Sequence, residues 1–165
     1  MSYEMKEPDA ELIRRIRGQD IPRTGSETEE QKTQLLEVVI AVEDMKRAVA
    51  LYEDLFDLKF DIEWAMPNEH MNVKAAKLGD TLLQIVESTS PEGVVARFIQ
   101  THGEGLNHIA FKVNDLPKMV AKLKKKGVKL VPEQPVTTPV SSYIFVHPKS
   151  AHGVLIELIE YQGQA

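Results

Sequence analysis

The sequence predicts an α+β fold of two pseudo-symmetric βαβββ modules, whose curved sheets surround a shared metal cavity. Three observations support this fold class. The order of one strand, one helix and three strands occurs twice, and segments of the first copy recur in the second at an almost constant offset. The few polar residues inside apolar strands also fall on equivalent positions of the two copies. Because neither copy could bury a sheet face alone, we expect the two to pair.

Composition narrows the possible functions. The chain has 165 residues, of which 42% are hydrophobic, enough for one domain or for two small halves that share a core. The 20 basic and 25 acidic residues give a net charge of −5, which argues against nucleic-acid binding because that requires a basic surface. The chain has no cysteine, which excludes disulfides, cysteine-ligated zinc and thiol catalysis.

The same pattern of charge and hydropathy predicts where the protein works. No apolar run is long enough to span a membrane, so we expect no membrane partner. The N-terminal residues are charged throughout, which is not typical of a signal peptide. We therefore expect a cytoplasmic protein.

Residues 1–34 differ in composition from the rest and are predicted to be an N-terminal arm and linker. Asp9 could cap a short helix that Gly18 ends. The main apolar positions of this helix are Leu12, Ile13 and Ile16. The polar residues that follow indicate a linker. The sequence leaves open whether the arm is a loose tail or packs on a partner subunit or over a site.

The first module is predicted over residues 35–88. It begins with LLEVVIAV, a β-branched segment typical of a buried strand. Asp44 can cap a helix over 45–56, where apolar residues recur at helical spacing. Three further strands are predicted over 58–66, 71–78 and 81–88, with turns at Pro67-Asn68 and Gly79-Asp80. A short helix after Pro91, ended by Gly103, leads to the second module.

The second module, predicted over residues 106–161, repeats this order. It begins with the strand LNHIAFKV, and Asn114 or Asp115 can cap a helix with Pro117 in its first turn. Several lysines lie in the last turn, where their positive charges interact favourably with the helix dipole. They form either a solvated face or a phosphate-contacting patch. Strands are then predicted over 128–136, 142–148 and 154–161.

The internal repeat can be aligned residue by residue. Val42 corresponds to Val113 and Asp44 to Asp115, both at an offset of 71. The segment TLLQIVE corresponds to VLIELIE at an offset of 73. Self-similarity of this kind indicates one supersecondary unit used twice.

Four polar residues interrupt the apolar strands at equivalent positions of the two modules. They are Glu37 and its equivalent His108 in the first strands, and Gln84 and its equivalent Glu157 in the last strands. Any one of them alone would more often be a hydrogen-bonded core residue. Two carboxylates directed into one core repel each other unless a proton or a cation neutralises them. Three oxygen ligands and one nitrogen ligand suit a divalent ion with open positions, so we predict a shared metal site.

Four longer motifs carry a family resemblance. They are IAVEDMKRAVALYEDLFDLKF (40–60), GEGLNHIAFKVNDL (103–116), KGVKLVPEQP (126–135) and FVHPKSAHGVLIEL (145–158). Together they resemble the vicinal oxygen chelate superfamily, which includes glyoxalases, bleomycin resistance proteins and dioxygenases. Within it, the motifs are most similar to the methylmalonyl-CoA epimerases. The resemblance covers residues 35–161 and leaves the N-terminal arm unexplained.

The resemblance implies a divalent-metal-dependent epimerase or isomerase that acts through a metal-stabilised enolate. The metal, expected to be cobalt, manganese, nickel or zinc, would be held by Glu37, Gln84, His108 and Glu157. The implied substrate is a small molecule, an acyl-CoA thioester or a 2-oxoacid, and Glu157 is the expected catalytic base. The family also implies a homodimer.

Three positions depart from the epimerase pattern. Glu37 stands where the epimerases have histidine, and Asn107-His108 stands where they have a pair of histidines. Val73 stands where bacterial epimerases often carry a glutamate as one of two bases. Val73 leaves the acid or base on the opposite face of the substrate unassigned.

Two alternative functions remain open. One is another vicinal oxygen chelate reaction, such as a glyoxalase-like isomerisation, or a lyase or cyclisation step on a specialised metabolite. The absent third-strand base and Glu37 favour it. The other is a metal-free protein of the same fold that binds a small ligand, which would purify without stoichiometric metal. His147 and Lys149 either contact an acyl-CoA or shape the turn before the last strand.

Overall fold

The computed structural model describes residues 33–162, so nearly all of the predicted N-terminal arm lies outside the described residues. The chain divides into two compact units. Of the described residues, 38–107 belong to the first unit, and 33–37 together with 108–162 belong to the second. Within 33–162, no helix has the length and apolar character needed to cross a membrane.

The first unit contains most of one strand, two helices and three further strands. The elements are β1 (Gln34–Val42), α1 (Met45–Phe56), β2 (Ile62–Met66), β3 (Met71–Leu78), β4 (Thr81–Ser88) and α2 (Val94–His102). The strands follow the order β2-β3-β4-β1, and β3 is antiparallel to both β2 and β4. Because side chains alternate between the faces of a strand, this sheet presents two apolar faces.

Each apolar face of the first unit packs against its own helix. Val39, Trp64 and Val73 form one cluster with Val95 of α2. A second cluster joins Val42, Phe60 and Ile85 to Met45 and Val49 of α1. This burial of both faces explains why the strands of the unit are nearly continuous apolar runs.

The second unit contains four strands and one helix. They are β5 (Gly105–Lys112), α3 (Leu116–Lys125), β6 (Leu130–Thr137), β7 (Ser141–Val146) and β8 (Ile156–Tyr161). The strand order is β5-β8-β7-β6, with β5 parallel to β8 and β7 antiparallel to β6 and β8. Leu116 and Val120 of α3 pack against Ile144 and Leu158 of the sheet. The other face of β8 therefore carries Glu157.

Both module helices begin with the aspartate that the sequence predicts as the cap. The Asp44 carboxylate accepts from the backbone N–H of Arg47 at 2.9 Å. The Asp115 carboxylate accepts from the backbone N–H of Lys118 at 2.8 Å. Each cap satisfies a helical N–H that has no intrahelical partner.

A second carboxylate reaches each helix start from the last strand of its own module. Glu87 at the end of β4 accepts from the backbone N–H of Met45 at 2.9 Å. Glu160 in β8 accepts from the backbone N–H of Leu116 at 3.1 Å. These two glutamates are equivalent at the offset of 73, so the repeat conserves a contact that ties helix to sheet.

The predicted α+β class and the repeated βαβββ order are confirmed. The second strand is shorter than predicted, because β2 begins at Ile62 and residues 58–61 form no strand. Asp57 ends α1 in the left-handed conformation, with φ of 53°. The backbone N–H of Phe60 then donates to the Glu53 carboxylate, which ties this segment to α1 instead of to β3.

Candidate metal centre

Three of the four predicted ligands meet in the second unit. Glu37, His108 and Glu157 each offer one ligand atom, and these atoms all lie within 4.8 Å of one another. Nε2 of His108 lies 3.4 Å from Oε2 of Glu157. The three residues come from different strands, β1, β5 and β8, far apart along the chain.

Strand register explains why His108 and Glu157 are neighbours. In the parallel pair of β5 and β8, Ala110 lies opposite Glu157. His108 is two residues before Ala110, so it points to the same face of the sheet and is a diagonal neighbour of Glu157. Phe145 of β7 lies opposite Glu157 from the other side. Its ring meets the His108 imidazole edge-on, with centroids 5.6 Å apart, and helps to hold that imidazole in place.

The burial of these groups favours a cation. Glu37 and Glu157 are each only 8% exposed, and His108 is half-buried between them and Phe145. The burial of two neighbouring carboxylates has a high free-energy cost unless positive charge compensates them. One imidazolium could supply only part of that charge, whereas a divalent cation supplies two positive charges.

The donor atoms also fit the dimensions of a metal site. Oxygen and nitrogen ligands about 2.1 Å from a divalent ion lie about 3 Å apart when adjacent and about 4 Å apart when opposite. The 3.4 Å separation of His108 and Glu157 and the 4.8 Å limit for all three residues are close to these values. Carboxylate and imidazole donors suit manganese, cobalt, nickel and zinc.

Gln84 lies in the first unit, in the middle of β4, and is 5% exposed. Its side chain points to the same face as Leu82 and Val86, which belong to the cluster that contains Val39. Among residues 33–162 the buried Nε2 atom of Gln84 has no hydrogen-bond partner. An unpaired buried amide costs about 1–3 kcal/mol, because its N–H groups lack an acceptor. The set of four ligands stays a prediction from the repeat.

The structure identifies one residue that the sequence analysis overlooked. Phe145 contacts His108 through its ring and lies opposite Glu157 across β7 and β8. The available signal was its position in SSYIFV, directly before the HPKS motif, because period-two alternation puts Phe145 and Tyr143 on one face. Their rings are 5.9 Å apart, which extends the aromatic support of this site.

The face of the first unit that contains Val73 is apolar in β2 and β3. Val73 is 1% exposed and lies opposite Trp64, and Met71 and Met66 continue the same face. Glu63 points to the other face, where it forms an ion pair with Lys74 at 3.1 Å. These two strands therefore offer no carboxylate on the face of Val73.

His147 shapes the turn before the last strand, which was one of its two predicted roles. Its Nδ1 accepts from the backbone N–H of Lys149 at 3.0 Å and caps the 3-10 turn Pro148–Ser150. Desolvation and, after it, the ammonium groups of Lys129 and Lys149 hold the pKa of His147 below its ordinary value. This shift favours the neutral form of the imidazole, which can accept this hydrogen bond.

The chain is similar to a known protein family and to individual relatives. Residues 37–146 match the model of the Glyoxalase/Bleomycin resistance protein/Dioxygenase superfamily. The uncharacterized protein YqjC of Bacillus subtilis is 31% identical over 125 residues, which is 75% of this chain and 89% of that protein. The mitochondrial methylmalonyl-CoA epimerase of Homo sapiens is 29% identical over 123 residues, 73% of this chain and 70% of the human protein.

Two solved structures illustrate the structural similarity. The hypothetical protein BH1468 from Bacillus halodurans has a TM-score of 0.75 and 30% identity, covering 81% of this chain and 98% of its own. A Streptomyces coelicolor methylmalonyl-CoA epimerase in complex with 2-nitronate-propionyl-CoA has a TM-score of 0.70 and 27% identity, covering 78% of this chain and 94% of its own.

Proposed function

The chain belongs to the glyoxalase/bleomycin resistance protein/dioxygenase superfamily, as its motifs predicted, and we propose that it is a divalent-metal-dependent epimerase of a 2-substituted malonyl-CoA thioester. The similarity to methylmalonyl-CoA epimerases supports an enzyme of this kind. The observation that carries the proposal is the buried group of Glu37, His108 and Glu157.

These three residues would hold the metal, and the repeat supports Gln84 as a fourth ligand because it corresponds to Glu157. When bound, a divalent metal acts as a Lewis acid that stabilises negative charge on a carbonyl or carboxylate oxygen of a substrate.

Glu157 is our candidate for the general base that removes the proton from C2 of the substrate. It is buried, which restricts water at the site, and its Oε2 lies beside His108. A carboxylate has two oxygens, so one can face the cation while the other accepts a proton. Return of a proton to the opposite side of C2 inverts the configuration, and the donor of that proton is not among the carboxylates assigned here.

Two measurements on the purified protein test the proposal. Elemental analysis should find a stoichiometric divalent metal. Methylmalonyl-CoA incubated in heavy water should then gain deuterium at C2, a chelator should stop the uptake, and added metal should restore it. A fully metal-loaded protein that exchanges no proton of any malonyl-type thioester would contradict the proposal.

The variant Glu157→Gln separates the role of Glu157 as a base from its role as a metal ligand. An amide can still bind a metal but cannot accept the proton, so we expect metal retention with exchange reduced roughly 100- to 10,000-fold. Glu133 is an exposed carboxylate on β6, and Glu133→Gln is the matched control, which should exchange at the wild-type rate. Wild-type exchange by Glu157→Gln would show that another group is the base.

Val73 favours a second candidate function, a different reaction of the same superfamily such as a glyoxalase-like isomerisation, a lyase step or a cyclisation. Such a reaction does not require carboxylates on both sides of one carbon, and the face of β2 and β3 that holds Val73 offers none. Stoichiometric metal together with no exchange at C2 of malonyl thioesters would support this candidate.

A further inference from the structure

Helix α1 carries an exposed apolar patch, which we define as Leu51, Leu55 and Phe56. These side chains are 53%, 59% and 60% exposed, respectively. Leu51 and Leu55 are one helical turn apart, and the Phe56 ring lies 6.0 Å from the half-buried Tyr52 ring. Single exposed apolar residues are ordinary, but three neighbours on one helix mark a surface that another segment covers.

Acidic side chains border the C-terminal end of the apolar patch, whereas the exposed Arg47 borders its other end. Asp54 is exposed between Leu51 and Leu55, and Asp57 is exposed directly after Phe56. If two copies of the chain met through this patch about a twofold axis that passes near Leu55, the carboxylates of Asp54 and Asp57 would approach their own equivalents, which is unfavourable. The surface therefore fits an apolar partner with basic flanks better than it fits a second copy of itself.

The chain itself contains a segment with this chemistry. Residues 12–17 have the sequence LIRRIR, in which Leu12 and Ile16 are one helical turn apart. Three arginines accompany the apolar residues of this segment. A helix as short as the predicted one is not stable alone in water, so it needs a surface on which to bury its apolar side chains.

We propose that residues 12–17 dock on the apolar patch of α1, with their arginines beside Asp54 and Asp57. The 15 residues from 18 to 32 form a tether that spans up to about 50 Å when extended. Burial of the leucines and isoleucines supplies the attraction, and charge complementarity sets the orientation. This proposal assigns a role to the arm that the epimerase resemblance leaves unexplained.

Disulfide trapping tests the docking cleanly because the chain has no cysteine of its own. In the full-length protein at low concentration, Ile16→Cys with Leu55→Cys should form an intramolecular disulfide at least tenfold faster than Ile16→Cys with Gln100→Cys. Gln100 is an exposed position on α2 of the same unit and serves as the control. Mass spectrometry of tryptic peptides identifies the bond and shows whether it lies within one chain.

Equal rates for the two cysteine pairs, or a bond formed only between two chains, would overturn the proposal. A second measurement leaves α1 unmodified. Hydrogen exchange of the Leu51–Phe56 amides is compared between the wild-type chain and the full-length variant with Leu12→Ser, Ile13→Ser and Ile16→Ser. We expect severalfold faster exchange in the variant, and unchanged exchange would likewise overturn the docking.

Discussion

His108 is the residue on which the candidate metal site depends most directly. It is the single nitrogen donor of the set, and its Nε2 lies 3.4 Å from Glu157. We predict that His108→Ala loses stoichiometric metal and has a lower melting temperature, because a bound ion stabilises only the folded state. Elemental analysis and thermal melts with and without a chelator measure both effects.

The control for this variant is His102→Ala. His102 is exposed on α2 and stacks on Phe98, outside the group of ligand atoms. It should keep the metal and respond to the chelator as the wild type does. Equal trace metal and equal melting in wild-type protein and His108→Ala would contradict the site assignment.

Glu37 makes the donor set more anionic than it would be with histidine, the residue that the epimerase pattern has at this position. The carboxylate is buried and lies within the group of ligand atoms. We predict that Glu37→His keeps metal binding but shifts preference from manganese toward nickel or zinc, because imidazole suits these ions better. The ratio of the dissociation constants should change about tenfold, equivalent to about 1.4 kcal/mol.

Titration calorimetry with manganese and nickel measures this ratio in the metal-stripped protein. Glu37→Gln is the matched comparison, since it removes the charge but retains an oxygen donor. An unchanged ratio in Glu37→His would show that Glu37 is not a ligand.

At the scale of the elements, the first turns of α1 and α3 each receive two carboxylates, one from the residue before the helix and one from the last strand of the same module. The contact from Glu160 to the backbone N–H of Leu116 joins β8, which carries Glu157, to α3. We predict that Glu160→Ala lowers the free energy of unfolding by about 1 kcal/mol, because it leaves a helical N–H without its acceptor. Urea denaturation measures this loss, and Glu133→Ala, an exposed position on β6, should have little effect.

These contacts also show which features the sequence could predict. The caps from Asp44 and Asp115 lie three residues from the N–H groups they accept from, so a local pattern reveals them. Glu87 and Glu160 act over 42 and 44 residues, and nothing in the local sequence pairs them with their helices. The aligned repeat brought them to equivalent positions but assigned them no role.

In the whole molecule, too, the features that follow from local sequence patterns were predictable, and the contacts that depend on strand register were not. The repeat predicted two βαβββ modules because each strand and helix has its own local periodicity. It also predicted Glu37, Gln84, His108 and Glu157 as partners because equivalent positions fall on equivalent faces. The structure brings the ligand atoms of Glu37, His108 and Glu157 together, and Gln84 stays a prediction. The support from Phe145 was not predicted, because it depends on the register of β7 against β8, which composition does not specify.

A homodimer, implied by the family resemblance, stays a prediction at this scale. The acidic border of the apolar patch on α1 disfavours that helix as the twofold contact. Light scattering of the purified full-length chain measures the oligomeric state. The disulfide trapping of residue 16 with residue 55 shows separately whether α1 is occupied by the arm of the same chain.

The last prediction concerns the stereochemistry of proton transfer in the whole enzyme. Epimerisation requires one group to remove the proton from C2 and another to deliver a proton to the opposite side. Glu157 is the proposed base, whereas Val73 and its neighbours on β2 and β3 provide no carboxylate. We predict that one epimer exchanges its C2 proton with solvent faster than the two epimers interconvert.

Each pure epimer, incubated separately in heavy water and followed by mass spectrometry and chiral analysis, gives both rates. Exchange that is fast for one epimer and slow for the other is the expected outcome, because a single base reaches only one side of the carbon. Rapid exchange from both epimers would contradict this prediction and require a second base. Glu69, in the turn between β2 and β3, is then the first residue to replace, and Glu69→Gln should restore the asymmetry.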